Sequence, residues 1–292
     1  FVAEIMDNNQ DMIEYIQRVM GLSLSGDTSE EYLYISHGSG SNGKSKFFGA
    51  IINVLGDYAQ QANSNLLMAK NRDPRAPNPD LVRVRGARLV VTSETEEGKR
   101  LDESLVKSLT GNDLITTRDL HEKSFSFRPE AKFFLTTNHK PYIFGTDKGI
   151  WRRVLLIPFE VSFEGAKKDI HLEEKLAAEK MGIFNWMLEG YRKWTEQGVN
   201  PPEKVIASTQ EYRAEMDKLG AFLEDCCVVS PNARVSPNKL FGAYRVWSEE
   251  TDERPMSRRI FVKRLKERGF KQGKDSTGRY WDGIGLLDQQ QN

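Results

Sequence analysis

The stretch that decides the fold is YLYISHGSGSNGKSKFFGAIINVL, residues 32–55. An apolar run at 32–35 predicts a buried strand, and the apolar spacing after residue 46 predicts a helix with one buried face. Between them lies the pattern G-x-x-x-x-G-K-S, in the strand–loop–helix context that a phosphate-binding loop requires. Glycines let backbone N–H groups close around phosphates, and the helix amino terminus adds partial positive charge. The sequence therefore predicts a nucleoside triphosphate site.

This loop supplies the ligands that a nucleotide and its magnesium ion need. Lys44 is predicted to reach the β- and γ-phosphates, and the Ser45 hydroxyl is predicted to bind Mg²⁺, so ATP and Mg²⁺ are the expected cofactors. The alternative is a chance glycine–serine loop, which the flanking strand and helix disfavour. The predicted nucleotide-binding residues are Gly38, Ser39, Gly40, Ser41, Asn42, Gly43, Lys44 and Ser45.

Composition describes an ordinary globular protein with one large domain and one or two smaller ones. Of 292 residues, 38% are hydrophobic and 29% are charged. No apolar run reaches the roughly 20 residues of a membrane helix, and acidic residues near the start argue against a signal peptide. Adjacent Cys226 and Cys227, and histidines without zinc-ligand spacing, predict a reducing compartment. We expect a cytoplasmic protein without a membrane partner and, since the chain begins with Phe1, a piece of a longer polypeptide.

Three regions are predicted along the chain. Residues 1–25 read as a helix that ends an upstream region. Residues 26–200 alternate apolar strands with helical connections, which is typical of an α/β sheet sandwiched by helices. A Gly-Val-Asn-Pro-Pro run at 198–202 marks the boundary to the last region, 201–292. Strands are predicted at 32–35, 89–91, 133–136 and 154–157.

The last region has its own helical pattern and a strong positive charge. Apolar residues recur at helical spacing over 240–247, and Ser257 is placed to cap a basic helix that points Ile260 inward. A glycine-turn hairpin follows, and this order is typical of a winged helix–turn–helix module. Residues 254–281 hold ten basic and two acidic residues in a chain of net charge zero. The block is a candidate DNA surface, with a solvated helix face as the alternative. Its predicted DNA contacts are Arg258, Arg259 and Lys263.

Polar residues at the ends of three other strand patterns complete the predicted catalytic set. Glu94 and Glu96 follow the strand at 89–91, where one carboxylate orients Mg²⁺ and one activates water. Asn138 ends another strand and is predicted to sense the γ-phosphate, with a turn-forming asparagine as the alternative. Arg152 or Arg153, entering the next strand, could reach a neighbouring subunit's γ-phosphate in a ring. A surface ion pair is the alternative for either arginine.

Together these motifs resemble helicase superfamily 3, and most closely the C-terminal helicase part of phage and plasmid primase–helicases, which are related to the poxvirus type. The resemblance covers nearly the whole chain and rests on the text at 43–45, 91–96, 109–111, 136–141 and 151–153. It implies an AAA+-type ATPase with a short helical collar before it. Glu94 then leads the second nucleotide motif and Asn138 matches the sensor. Either Arg152 or Arg153 matches the arginine finger.

The resemblance also implies how DNA is held. In this superfamily a β-hairpin between the second motif and the sensor enters the ring channel and grips single-stranded DNA. Here that stretch is 116–125, and the implied phosphate contacts are Lys123 and His121, with Arg118 in support. A solvated turn residue is the alternative for Lys123.

The expected function is an ATP-dependent, ring-forming DNA helicase that acts on single-stranded and forked DNA. The resemblance implies a hexameric ring and 3′-to-5′ travel. The helicase would replicate a phage, plasmid or mobile element in a bacterial host, downstream of a primase or polymerase segment in a longer parent chain. Two alternatives remain: an AAA+ loader or remodeller whose partner is a protein, and an ATP-controlled origin-binding protein without processive unwinding.

Overall fold

The computed structural model describes residues 1–69, 77–94, 96–145, 148–165, 168–251, 255–276 and 278–287, without the side chains of Ser64 and Glu94. The chain divides into two compact units, Phe1–Arg213 and Ala214–Asn292. The strands of the first unit are β1 (Leu33–His37), β2 (Ala59–Ala62), β3 (Leu89–Glu94), β4 (Ile115–Thr117), β5 (Phe125–Phe127), β6 (Lys132–Thr137) and β7 (Val154–Pro158). Its helices are α1 (Val2–Ile5), α2 (Gln10–Leu22), α3 (Lys44–Leu55), α4 (Pro79–Val84), α5 (Glu103–Thr110), α6 (Lys148–Trp151), α7 (Leu172–Ala178), α8 (Lys180–Gln197) and α9, which starts in this unit (Glu203–Glu215).

A parallel sheet forms the centre of the first unit. Among the described residues it has five strands in the order β2-β3-β6-β1-β7, and every neighbouring pair is parallel. All four predicted strands are present, which confirms the mixed α/β class. The sequence pattern does not predict β2, because Ala-Gln-Gln-Ala contains neither β-branched nor aromatic residues. The parallel arrangement brings the carboxyl ends of β1, β3 and β6 to one edge.

The amino-terminal segment is part of the first unit's core. Tyr15 and Val19 of α2 are fully buried there, together with Met187 of α8. The two helices pack so closely that a Cβ added at Gly190 would lie 1.9 Å from the carbonyl oxygen of Gln17. Residues 1–25, expected to end an upstream region, therefore help to build this core.

The division between the units lies after residue 213, beyond the expected boundary at 200. Thr209 Oγ1 in α9 accepts a hydrogen bond from Leu156 N in β7 at 2.9 Å, and the Tyr212 hydroxyl donates to Pro141 O. The proline break at 201–202 is therefore a loop within the first unit, since the helix after it packs back onto the same core.

The second unit combines three helices with a small sheet. In the part that the structure describes, its elements are α10 (Lys218–Cys226), β8 (Cys227–Val235), α11 (Pro237–Glu250), α12 (Arg258–Glu267), β9 (Lys271–Asp275) and β10 (Gly278–Leu286). The strands form an antiparallel sheet in the order β8-β10-β9. The predicted helix pair and hairpin are present, and the Ser257 side chain caps α12. The sequence does not predict β8, because the Ser-Pro-Asn at its centre is typical of a turn. The expectation that Ile260 points inward is wrong: it is 45% exposed, while Phe261 and Leu265 fill the core.

None of the helices in the described ranges is long and apolar enough to cross a membrane.

Candidate nucleotide-binding site

The predicted phosphate loop connects the carboxyl end of β1 to the amino terminus of α3. Its backbone has positive φ at three positions: 108° at Gly40, 48° at Ser41 and 82° at Gly43, the last of which is the residue before the helix begins. Glycine adopts such angles without the steric cost that a Cβ imposes. The curved backbone leads directly into the helix amino terminus, where N–H groups lack intrahelical acceptors and attract anions.

The loop is anchored to the segment that follows β7. A Cβ at Gly38 would lie 2.2 Å from both Phe159 O and Asn42 Nδ2, so only glycine fits at the start of the loop. The buried Asn42 side chain donates through Nδ2 to Phe159 O at 3.2 Å. Phe163 N donates to Ser41 O at 2.7 Å. These contacts fix the curved loop, here called the cradle, against the segment that follows β7.

Lys44 is buried at the base of this cradle. Lys44 is 6% exposed, and its Nζ donates to Gly38 O at 2.8 Å and to Asn138 Oδ1 at 3.3 Å. Burial lowers the pKa of this lysine to about 8. Both acceptors are neutral, so the ammonium has no carboxylate partner in these contacts. A bound anion would neutralise the positive charge of the ammonium, and a nucleotide phosphate is an anion of this kind.

Asn138 reaches Lys44 because of the strand order. β1 and β6 are neighbours in register, His37 opposite Thr137, so the residues that follow each strand lie side by side. The Thr137 hydroxyl donates to His139 O at 2.6 Å and accepts from His139 N at 3.1 Å, which fixes the turn carrying Asn138. Asn138 therefore lies in a turn, which was the alternative interpretation from the sequence. From that turn its side chain also contacts the phosphate-loop lysine.

The two predicted carboxylates occupy different positions. Glu94 is the last residue of β3 and is paired with Thr137 of β6, so its backbone lies at the same sheet edge. Its side chain lies outside the described part of the structure, as does all of Thr95. Glu96 lies beyond the strand, where its Oε2 is 2.6 Å from Lys99 Nζ. Ser45 is exposed in the first turn of α3. Mg²⁺ keeps several waters and needs few protein ligands, so a hydroxyl and a carboxylate are ligand types that suit it.

The two predicted arginines lie at the opposite, amino edge of the sheet, just before β7. Arg153 is 8% exposed; its Nη2 lies 2.8 Å from Glu31 Oε2 and its Nη1 donates to Gly149 O at 2.9 Å. The Arg152 side chain is 64% exposed, and its Nη2 lies 3.3 Å from the same Glu31 oxygen. The side chain of Arg153 is thus buried and bonded within its own unit, whereas most of the Arg152 side chain is exposed to solvent.

Sequence reasoning missed Glu31, which holds both arginines. A detectable signal exists, because Glu31 precedes β1 and the arginines precede β7. β1 and β7 are parallel neighbours that start together, Leu33 opposite Val154. An acid before one strand and a base before its neighbour are expected to meet once the strand order is known.

A β-hairpin lies in the stretch that is predicted to contact DNA. β4 and β5 pair antiparallel, with Thr116 opposite Ser126 and their hydroxyls 2.8 Å apart. Arg118, His121 and Lys123 lie exposed in the connecting loop, and His121 has a φ of 61° at its tip. The three side chains are therefore exposed to solvent in one loop.

The basic surface of the second unit is also exposed. Arg258, Arg259 and Lys263 project from α12, where Lys263 Nζ lies 3.5 Å from Glu267 Oε1 and the Arg258 side chain donates to Asn238. Arg264 of the same block is instead buried, and Arg254 lies outside the described residues. The block thus presents fewer charges than its sequence suggests.

Comparison with known proteins identifies the type of protein. Residues 36–153 match a family described as of unknown function (DUF5906), and residues 214–281 match a family described as poxvirus D5 protein-like. A protein of Acanthamoeba polyphaga mimivirus, named as a candidate helicase, is 33% identical over 258 residues, covering 82% of this chain and 27% of that protein. The chain is a D5-like protein of the superfamily 3 helicase type. The D5 match covers the basic second unit, and the DUF5906 match covers the segment from β1 to Arg153.

Other viral relatives agree with this assignment. A candidate helicase of Frog virus 3 is 24% identical over 266 residues, covering 85% of this chain and 27% of that protein. A protein of African swine fever virus, named as a candidate primase, is 26% identical over 230 residues, covering 72% of this chain and 24% of that protein. The D5-like chain spans about a quarter of the length of these relatives.

A solved structure shares the fold. The apo C-terminal region of NrS-1 superposes with a TM-score of 0.55 and 11% sequence identity, covering 98% of this chain and 74% of that one. At this identity the likeness concerns the fold of the D5-like chain.

Proposed function

We propose that the D5-like chain is the ATP-hydrolysing motor of a DNA helicase. The observation that carries this proposal is the position of Lys44, buried in the cradle between Gly38 O and Asn138 Oδ1. Among the described side chains, which do not include that of Glu94, Lys44 has no carboxylate partner, so its charge is available to a triphosphate. Asn138, which follows the neighbouring strand β6, would sense whether the γ-phosphate is present. The names of the viral relatives, candidate helicases and primases, support the same class of activity.

ATP and Mg²⁺ are the proposed cofactors. The loop from Gly38 to Ser45 would hold the phosphates, and Ser45 with Glu94 would hold the metal. Bound Mg²⁺ neutralises charge on the β- and γ-phosphates. Lys44 would orient the γ-phosphate, and Asn138 would turn from the lysine to the phosphate or the attacking water. Glu94 and Glu96 are the two candidates for activating that water.

A ring is proposed because the arginines lie away from their own nucleotide site. The five residues of β1, about 16 Å of strand, separate the amino edge from the phosphate loop. Arg152, exposed and loosely paired, is the proposed finger that reaches a neighbour's γ-phosphate, whereas Arg153 holds the strand entrance together with Glu31. Six subunits follow from the superfamily resemblance.

Single-stranded DNA is the proposed substrate of the hairpin. Lys123 and His121 would contact backbone phosphates, with Arg118 in support, and nucleotide-driven motion of successive hairpins would draw one strand 3′-to-5′ through the ring. The second unit, with its helix–strand–helix–helix–hairpin order, is proposed as a winged helix. Its Arg258, Arg259 and Lys263 would contact DNA in replication of a virus, phage, plasmid or other mobile element.

The test changes His121 and Lys123 to alanine together. DNA unwinding and the stimulation of ATP hydrolysis by single-stranded DNA should be lost, while basal hydrolysis stays within about twofold because the nucleotide site is untouched. The matched control is His171→Ala with Lys175→Ala, an exposed histidine–lysine pair at α7. Retained unwinding would remove the hairpin from the mechanism.

Two other outcomes would favour the alternatives. ATP hydrolysis by an assembled wild-type chain that ignores DNA would favour a remodeller acting on a protein. Duplex melting limited to a specific sequence, without progress along a strand, would favour an ATP-controlled origin-binding protein.

A further inference from the structure

The hairpin of β9 and β10 carries an unusual pair of like charges. Its register places Lys274 directly opposite Arg279. Cross-strand partners lie about 5 Å apart at Cβ, and like charges in that arrangement destabilise a hairpin. Both residues are exposed, and among the described residues neither forms an ion pair with a carboxylate. Such repulsion is relieved when an anion binds between the two side chains.

The two faces of this hairpin differ in charge balance. On one face, the Arg234 guanidinium lies 4.3 Å from the centre of the Tyr280 ring, and it pairs with Asp282 at 3.1 Å and Asp275 at 4.0 Å. That face is neutralised within the protein. Since side chains alternate along a strand, Arg279 lies on the other face, with Trp281.

The helices pack on the face of the sheet that carries Lys274 and Arg279. Trp281 is fully buried in the core to which α12 contributes Phe261 and Leu265. Lys274 and Arg279 lie at the turn end of the same face, beyond that core. The hairpin pair and the basic helix α12 therefore lie on the same side of the sheet.

We propose that Lys274 and Arg279 form a phosphate clamp for the backbone of duplex DNA, an inference that rests on DNA being the substrate. Surfaces that bind single-stranded DNA commonly combine phosphate contacts with exposed aromatic rings on which the bases stack. In the described part of this unit the exposed large apolar residues are aliphatic, Val228, Val229, Val246, Ile260 and Leu287. The surface therefore suits the charged backbone of a duplex, and the contact does not depend on base sequence.

The experiment measures binding of the full chain to a blunt duplex and to a single strand of equal length, by fluorescence anisotropy over a series of salt concentrations. The test variant is Lys274→Gln with Arg279→Gln. The control is Lys239→Gln with Arg245→Gln, which removes two exposed charges from α11 of the same unit. The test variant should bind duplex about tenfold or more weakly, and the slope of log K against log salt should fall by about 1.8, since each phosphate contact contributes about 0.9.

Two further measurements accompany the binding assay. The melting temperature of the test variant should stay the same or rise, because repulsion is removed, and stimulation of ATP hydrolysis by single-stranded DNA should be unchanged. Equal duplex affinities for the test and control variants would overturn the clamp and leave the proposed function intact. An equal loss of affinity for single-stranded DNA in the test variant would do the same. Wild-type protein that binds neither duplex nor single strand would overturn the proposed function itself.

Discussion

The charge state of Lys44 predicts how nucleotide affinity depends on pH. Burial lowers the pKa of this lysine to about 8, so it loses its proton as pH rises through that value. A triphosphate attracts the ammonium form, which means that the binding-competent fraction of the free protein falls above pH 8. At pH 7, one unit below that pKa, about nine-tenths of the lysine is protonated, so lowering the pH further changes the affinity little through this group.

The size of the effect follows from the same pKa. If only the protonated form binds, the apparent dissociation constant rises by the inverse of the protonated fraction. With a pKa of about 8, affinity should be roughly tenfold weaker at pH 9 than at pH 7 and should fall about tenfold per further unit. Phosphate groups, with a second pKa of about 6, are already deprotonated in this window and add no slope.

The assay titrates the protein with a fluorescent ATP analogue in the presence of Mg²⁺, at a series of pH values from about 7 to about 9.5. Lys44→Arg is the control, because a guanidinium keeps its charge throughout and should bind with no pH slope, even if more weakly. Lys132 also has a pKa lowered to about 8, but its Nζ donates to Ser25 O at 2.6 Å and it is unchanged in the control. A flat wild-type profile, or the same slope in Lys44→Arg, would refute the reasoning.

Two further predictions concern the arginines and the packing of α2 on α8. Arg152→Ala should lower ATP hydrolysis about 10³-fold or more, and activity should partly return when this variant is mixed with subunits that lack the phosphate-loop lysine. No recovery in the mixture would contradict a finger that acts on the neighbouring subunit. Arg153→Ala should instead lower the melting temperature. Gly190→Ala should destabilise the protein by about 1–3 kcal/mol, because its Cβ would meet Gln17 O at 1.9 Å, whereas Gly182→Ala on the same helix, with open space, should be neutral or stabilising by thermal melting.

Local patterns were sufficient to predict the centre of the first unit. β1, the phosphate loop and α3 combine an apolar run, a glycine-rich motif and a helical period in consecutive residues, so each supports the others. β3, β6 and β7 are buried on both faces and read as apolar runs for that reason. β2 and β8 escape prediction because Gln, Ser, Pro and Asn residues interrupt the apolar signal, and pairing with neighbours decides their conformation.

The candidate site divides in the same way. The contact between Lys44 and Asn138 follows from two strand ends at one sheet edge and is accessible to sequence reasoning once parallel order is assumed. The choice between Arg152 and Arg153 is not accessible, because both precede the same strand and only their burial and contacts with Glu31 separate them. The burial of Arg264 likewise depends on how α12 is rotated against its core, which charge counting cannot reveal.

ATP hydrolysis by the purified, assembled chain with and without single-stranded DNA, beside Lys44→Ala, tests the central claim most directly. A DNA motor should show strong stimulation by DNA, and both basal and stimulated rates should vanish in the variant. Hydrolysis that depends on Lys44 but is indifferent to DNA would contradict the helicase account.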